Sequence, residues 1–267
     1  MFQTVIRYTV GSLLLVIANL FRYPFSKSSR HKLSSAYLAL KYPFYGENLI
    51  GLSTILSNDE LTVTVTPLKN NEHNVTAFEL LSICAVIKDK ELHQIFEIGT
   101  YDGRTTRAMA FNINNEGMIY TLNLSPGTVT VKLDTGFTDV QLGDKVFSGE
   151  RFLHTKEKDK IEQLWGDSAS FDFTPYHQSM DLVFIDGAHS CEYVANDTNA
   201  AFKLVKLSGG FIIWHDAHLY GVVKFLKTWM AKSNIPVYFI KDTSLAIAQI
   251  KNGLAVKKNF AQERLIN

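Results

Sequence analysis

The 267-residue chain is long enough to bury a sizeable core, yet short enough for one catalytic domain with an N-terminal extension. Its residues are 46% hydrophobic and 20% charged, which are globular proportions without polyelectrolyte character. With 27 basic side chains against 26 acidic ones, no bulk charge recruits nucleic acid.

The first element is an apolar run from Tyr8 to Phe21, free of charge and bracketed by Arg7 and Arg22. It is shorter than the roughly 20 residues a spanning helix needs. A basic stretch with Arg22, Lys27, Arg30 and Lys32 follows, with no small-residue cleavage signature. The pattern predicts a helix with two alternatives: peripheral membrane contact through residues 8–21, or packing on the protein or on a second copy in a homo-oligomer. Cys84 and Cys191 fall in apolar helical patterns without metal-ligand spacing, which fits a reducing, cytoplasmic setting. From Lys41 to Asn74 the pattern is turn-rich, with a β-like stretch at Leu61 to Val65. Residues 1–75 are therefore expected to be an extension and 76–267 the catalytic domain.

Thr76-Ala-Phe-Glu79 has the spacing of a capping box and predicts a buried helix over Phe78–Ile87. Short apolar runs then alternate with helical patterns, as in a parallel sheet with crossover helices. Seven strands are predicted, at Gln94–Ile98, Met118–Leu124, Ile161–Trp165, Asp181–Ile185, Gly210–Trp214, Val237–Ile240 and Leu245–Gln249. Helices are predicted at Arg104–Asn112, Glu192–Lys206 and Val222–Lys232. Only Lys241-Asp-Thr-Ser244 separates the last two strands, too short for a parallel crossover, so they should form an antiparallel hairpin. The expected fold is α/β: a Rossmann-like, mostly parallel seven-stranded sheet ending in that hairpin, with helices on both faces. Residues 126–160 carry little period and read as a lid-like insertion on the ligand-binding edge.

Four strand ends carry the chemistry. Glu97-Ile-Gly-Thr-Tyr-Asp-Gly103 ends a strand in an acid and a glycine-punctuated turn before a helix; Gly99 and Gly103 are expected to give tight turning and unhindered N–H groups toward a carboxylate or phosphate. Asp167 and Ser168 follow the third strand, where they either read an adenine edge or cap a helix. Asp186 ends a buried apolar strand with His189 three residues on, a pattern that favours work on a ligand over packing. His215-Asp216-Ala-His218 ends the next buried strand, so Asp186 and Asp216 should lie close enough to hold a hard cation such as Mg²⁺.

As an ordered set, these residues resemble the class I S-adenosylmethionine-dependent methyltransferases. The resemblance is to the family-24-like group and to the catechol and caffeoyl-CoA O-methyltransferases. It covers about Val75 to Gln249 and rests on Phe96 to Thr106, Gly166-Asp-Ser168, Phe171-Asp-Phe173, Val183 to Ser190, Gly209-Gly with Trp214-His-Asp216, and Thr243-Ser-Leu-Ala246. The resemblance implies that Glu97, Gly99, Thr100 and Gly103 shape the cofactor turn, that Tyr101 lies near the methyl donor, and that Thr105 meets the methionine carboxylate. Asp167 and Ser168 would take the adenine edge. Asn123 stands where the family has an acid for the ribose hydroxyls, and Ala217 stands where the metal-using relatives have an asparagine. In the slot of the relatives' lysine base this chain has His189, a residue suited to removing a hydroxyl proton near neutral pH. The implied catalytic residues are His189, Asp186 and His215, the implied metal ligands Asp186 and Asp216, and the implied acceptor a hydroxyl on a small molecule or sugar. Two rivals remain: a degenerate scaffold of the same fold, motivated by Asn123 and Ala217, and a Rossmann oxidoreductase, which the Tyr101 side chain in the middle glycine slot disfavours.

Overall fold

The computed structural model describes residues 48–251, except 59, 70–72, 129, 136–147 and 234, together with Leu13, Ile17, Leu254 and Ala255. The chain divides into two compact units, Met1–Phe44 and Tyr45–Asn267. In the first, only the helical Leu13 and Ile17 are described, so the expectation for residues 8–21 otherwise lies outside the described residues. No helix among the described residues is long and apolar enough to cross a membrane.

Among its described residues the second unit is built on a nine-stranded sheet. In chain order its elements are β1 (Leu49–Ile50), α1 (Leu52–Ile55), α2 (Ala77–Asp89), β2 (Gln94–Ile98), α3 (Arg104–Asn112), β3 (Met118–Asn123), α4 (Glu150–Leu153), β4 (Ile161–Trp165), β5 (Leu182–Ile185), α5 (Cys191–Leu204), β6 (Gly210–Trp214), α6 (Tyr220–Ser233), β7 (Tyr238–Ile240), β8 (Ala246–Lys251) and β9 (Leu254–Ala255). The strand order is β1-β7-β8-β6-β5-β2-β3-β4, with β9 on β8. Strands β2 to β6 are mutually parallel, and β8 runs antiparallel between β6 and β7. The expected hairpin thus forms, and its second strand is also the one inserted beside β6. β1 pairs parallel with β7. Residues assigned from sequence to the extension therefore contribute a strand to the main sheet.

The central strands are apolar because both faces are covered. Ile95, Leu182, Phe184, Phe211 and Ile213 share one core with Ile83 and Ile87 of α2 and Met109 of α3. One residue on, side chains face the other way: Trp214 donates its indole N–H to Thr198 of α5 at 2.9 Å and packs on Trp229 of α6. That alternation is the period of two expected of strands. Helix α2 starts at the predicted capping box, in which Glu79 N–H bonds Thr76 Oγ1 and Thr76 N–H bonds Glu79 Oε2.

Two expectations are corrected. Leu61–Val65 forms no strand. Its backbone pairs with a side chain instead: Asn112 Oδ1 accepts from Thr64 N–H at 3.0 Å and Asn112 Nδ2 donates to Thr64 O at 2.8 Å, so one amide plays the part of a neighbouring strand. The end of the 126–160 insertion is not irregular either. It forms α4 and a 3₁₀ helix at Lys156–Lys160, held to α3 by an Arg107–Glu157 ion pair of 3.0 Å and by the fully buried Phe152.

Candidate active site

The chain runs β2, β3, β4 to one side and then returns to β5 on the other, so the carboxyl ends of β2 and β5 form the switch point where ligands bind in open α/β sheets. Register Ile98↔Ile185 sets the glycine turn beside Asp186. At Gly99, with φ of 104°, a Cβ would stand 2.1 Å from the Asp186 carbonyl oxygen. At Gly103, with φ of 83°, it would stand 2.6 Å from the Phe152 ring. Both glycines are thus required by neighbouring chain. Their N–H groups are also used internally, on Leu122 O and Thr100 O, which corrects the expectation that they are open to a ligand. Tyr101, between them, is held at φ 49°, a left-handed conformation that costs a side-chain-bearing residue about 1 kcal/mol or more.

Under this turn Glu97 is fully buried. Its Oε2 accepts from the Thr106 and Thr121 hydroxyls, each at 2.5 Å. Its Oε1 has no partner among the described residues. Burial pushes the carboxyl up to about 8 despite the two hydroxyl donors, with the charges of Asp186 and Asp102 adding to the rise. Thr105 is buried in the first turn of α3.

Along the edge toward β4, Asn123 closes β3. Its Oδ1 accepts from Thr100 N–H at 3.3 Å and its Nδ2 donates to Ser148 Oγ at 2.9 Å. Asp167 accepts at Oδ1 from Ala169 N–H and the Tyr193 hydroxyl, both at 2.9 Å, and at Oδ2 from Lys132 N–H at 2.7 Å. It therefore caps the turn at 168–170 rather than a helix. Ser168 offers its carbonyl to Asn196 Nδ2 at 3.1 Å.

On the other side of the switch point, pairing of Ile185 with Trp214 brings Asp186 beside His215 and Asp216. His215 Nδ1 is 2.8 Å from Asp186 Oδ1 and 3.5 Å from Asp216 Oδ2, while its Nε2 is 3.4 Å from Glu79 Oε2. Burial alone would lower the His215 pKa, but Asp186, Glu79 and Asp216 hold it well above the ordinary histidine value, so the ring is an imidazolium among carboxylates. Asp216 takes a left-handed φ of 48°. Burial would raise its pKa; His189, His215 and His218 hold it below the ordinary range. His189 Nε2 is 3.1 Å from Asp216 Oδ2, and the more exposed His218 Nδ1 is 3.6 Å from Asp216 Oδ1. The ligand atoms of Asp186, His215 and Asp216 lie within 4.8 Å of one another, a spacing a cation could bridge.

Glu79 was not expected here. Its Oε1 accepts from both N–H and Oγ of Ser244, each at 2.6 Å, so one buried carboxylate joins α2, the end of β6 and the β7–β8 turn. Burial raises its pKa and the His215 and Ser244 contacts lower it further, leaving it well under the usual carboxylate range. The capping box was its only signal in the sequence, and a capping box says nothing of a histidine 136 residues away. Ala217, where the resemblance led one to look for an asparagine, is buried and offers only backbone, its N–H bonding Ser244 O at 2.8 Å.

Residues 96–217 match a family model described as a methyltransferase domain. No curated protein is matched by the sequence. Among solved structures, the O-methyltransferase TomG from Streptomyces achromogenes, involved in tomaymycin synthesis and in complex with SAM, is 15% identical over 70% of this chain and 92% of its own, with a TM-score of 0.48. The SAH-bound methyltransferase PaMTH1 of Podospora anserina is 16% identical over 85% of this chain and 97% of its own, with a TM-score of 0.49. An O-methyltransferase from Bacillus cereus in complex with SAH is 16% identical over 67% and 83%, with a TM-score of 0.48.

Proposed function

We propose that this chain, whose residues 96–217 match a methyltransferase-domain family model, uses S-adenosylmethionine to methylate a hydroxyl oxygen on a small molecule or sugar. The observation that carries the reading is the meeting, at one switch point, of the Glu97–Gly103 turn with the carboxylate–imidazole cluster of Asp186, His215 and Asp216. The cofactor would lie across the turn, its ammonium toward Glu97 and its carboxylate near Thr105. Its ribose would meet Asn123 and its adenine edge Asp167 and Ser168, with Thr100 and Tyr101 lining the path between. An amide at Asn123 accepts one hydrogen bond and donates another, a looser grip on a diol than a carboxylate gives.

Transfer moves the sulfonium methyl to the acceptor oxygen, S-adenosylhomocysteine departs, and the hydroxyl proton passes to a base. His189 is that base in this reading. Its Nε2 lies 3.1 Å from Oδ2 of Asp216, whose carboxylate would stabilise the imidazolium formed when the ring takes the proton. Much of the rate would come from alignment, since the sulfonium already activates the methyl. Asp186, Asp216 and His215 lie at a spacing a divalent cation could bridge, His215 joining as a ligand only as the neutral imidazole, which would temper the preference for a hard ion such as Mg²⁺. A bound cation would lower the pKa of an acceptor hydroxyl.

A second reading, a non-catalytic binding protein of the same fold, is favoured by Asn123 and Ala217 at their two positions. Calorimetric titration with S-adenosylmethionine and S-adenosylhomocysteine, with and without Mg²⁺ and with NAD as control, separates the two. The enzyme reading expects binding at a Kd of roughly micromolar. No binding under any condition overturns it.

A further inference from the structure

Two of the three polar residues assigned to the nucleoside of the cofactor, Asn123 and Asp167, are already bonded to Ser148 and Lys132 of the chain's own 126–160 insertion. Lys132 N–H donates to Asp167 Oδ2 at 2.7 Å. The neighbouring Leu133 N–H reaches the Tyr193 hydroxyl at 3.4 Å, and that hydroxyl in turn donates to Asp167 Oδ1 at 2.9 Å. Oδ1 also accepts Ala169 N–H at 2.9 Å, so both its lone pairs are taken and Oδ2 is the oxygen left to meet a ligand. Lys132 N–H takes one of the two lone pairs of Oδ2. At the other end of the insertion, Ser148 Oγ accepts from Asn123 Nδ2 at 2.9 Å, and Gly149 N–H fixes this stretch to Tyr101 O at 2.9 Å.

The chemistry at both points copies what a nucleoside would present. The exocyclic amine of adenine is an N–H donor to a carboxylate, as is the Lys132 backbone; a ribose hydroxyl is an acceptor for an amide, as is Ser148. Tyr193 makes the Asp167 contact stiff: it is 3% exposed, and burial together with the Asp167 charge pushes its phenol up to about 12, so it remains a donor at any working pH.

We infer that Lys132 at Asp167 and Ser148 at Asn123 compete with the cofactor's nucleoside for hydrogen bonds to those two side chains, so that cofactor binding weakens the Lys132 contact and the contact weakens cofactor binding. This rests on the reading of Asp167 and Asn123 given above. The coupling taxes cofactor affinity by the fraction of molecules with the contact made, and removing the contact returns it. Methylation would then respond to anything that holds or frees residues 132–133.

Two measurements on the full-length protein test this. The first is amide hydrogen exchange at Lys132 and Leu133 with and without saturating S-adenosylhomocysteine, where faster exchange in the ligand's presence is expected. The second is calorimetric affinity for S-adenosylhomocysteine in Lys132→Pro, which removes the N–H and an exposed side chain and also fixes φ near about −65°, with Ser148→Ala, which leaves the backbone unconstrained, as a second variant. Affinity about tenfold tighter is expected for Lys132→Pro. If the ligand binds yet the two amides stay equally or better protected and neither variant binds tighter, the competition is refuted while the methyltransferase reading stands. If wild type and variants bind no S-adenosylhomocysteine at all, the methyltransferase reading falls and the competition with it.

Discussion

His215 Nδ1 lies 2.8 Å from Asp186 Oδ1, a contact that ties the end of β6 to the end of β5 and places an imidazolium where the two strand-end acids converge. Its pH dependence has a definite sign. The folded-state pKa of His215 is raised well above 6.5, so its contribution to stability is complete below that value and is lost as pH rises through the raised one. His215→Gln should therefore be most destabilising near pH 6 and converge toward wild type in strongly alkaline buffer. Urea denaturation across that range measures it, and a constant difference would remove the charge from the explanation.

Glu97 titrates with the opposite consequence for a carboxyl group. Its pKa is raised from 4.5 to about 8, so the folded protein keeps a proton that the unfolded chain releases, and stability falls as pH climbs between those values. Glu97→Gln, neutral and nearly isosteric, lacks this loss. Thermal denaturation should show the variant gaining on wild type between pH 5 and pH 8.5, whatever its effect on the cofactor.

The two glycines of the first turn and loop offer a matched pair. Gly127 has φ of 78° with nothing within 4 Å of an added Cβ, whereas Gly103 has a similar φ of 83° and the Phe152 ring at 2.6 Å. Gly127→Ala should cost about 1 kcal/mol, the left-handed penalty alone. Gly103→Ala should cost about 3 kcal/mol or more, because the same penalty is joined by overpacking. Chemical denaturation of both variants reads the difference directly.

His189→Ala is expected to leave S-adenosylhomocysteine affinity unchanged while kcat falls by about 10² to 10⁴. Asp216→Asn should follow in the same direction through His189, 3.1 Å away. Equal turnover in His189→Ala would assign the proton to another group.

Asp186 and Asp216 should share any cation requirement. Excess chelator is expected to reduce turnover, with Mg²⁺ or Mn²⁺ restoring it in wild type and in neither Asp186→Asn nor Asp216→Asn. Full turnover in chelator would leave His215 as the only positive charge the cluster needs.

Much of the site was legible one strand at a time. Glu97, Asn123, Asp167, Asp186 and Asp216 could each be placed at or just beyond the end of an apolar run, because a buried strand announces itself by composition and its first polar residue marks the ligand edge. What joins those ends was not legible. Leu49–Ile50 is too short to show a period, and it becomes a strand only because β7 lies beside it. Leu61–Val65 has strand composition, yet its hydrogen-bond partner is the side chain of Asn112, which no local pattern could reveal.

By itself, then, the sequence determined the order of the seven strands from β2 to β8 and of the helices α2, α3, α5 and α6, the capping box at Thr76 and the set of strand-end acids, since these depend on neighbours within a few residues. Only the tertiary structure decided that Glu79 grips His215 and Ser244, that the glycine N–H groups are spent on the fold, and that Lys132 bonds Asp167. Those contacts span up to 165 residues of chain. They are chosen by which buried polar atoms must find partners once the sheet has closed, a condition that exists only in the folded molecule.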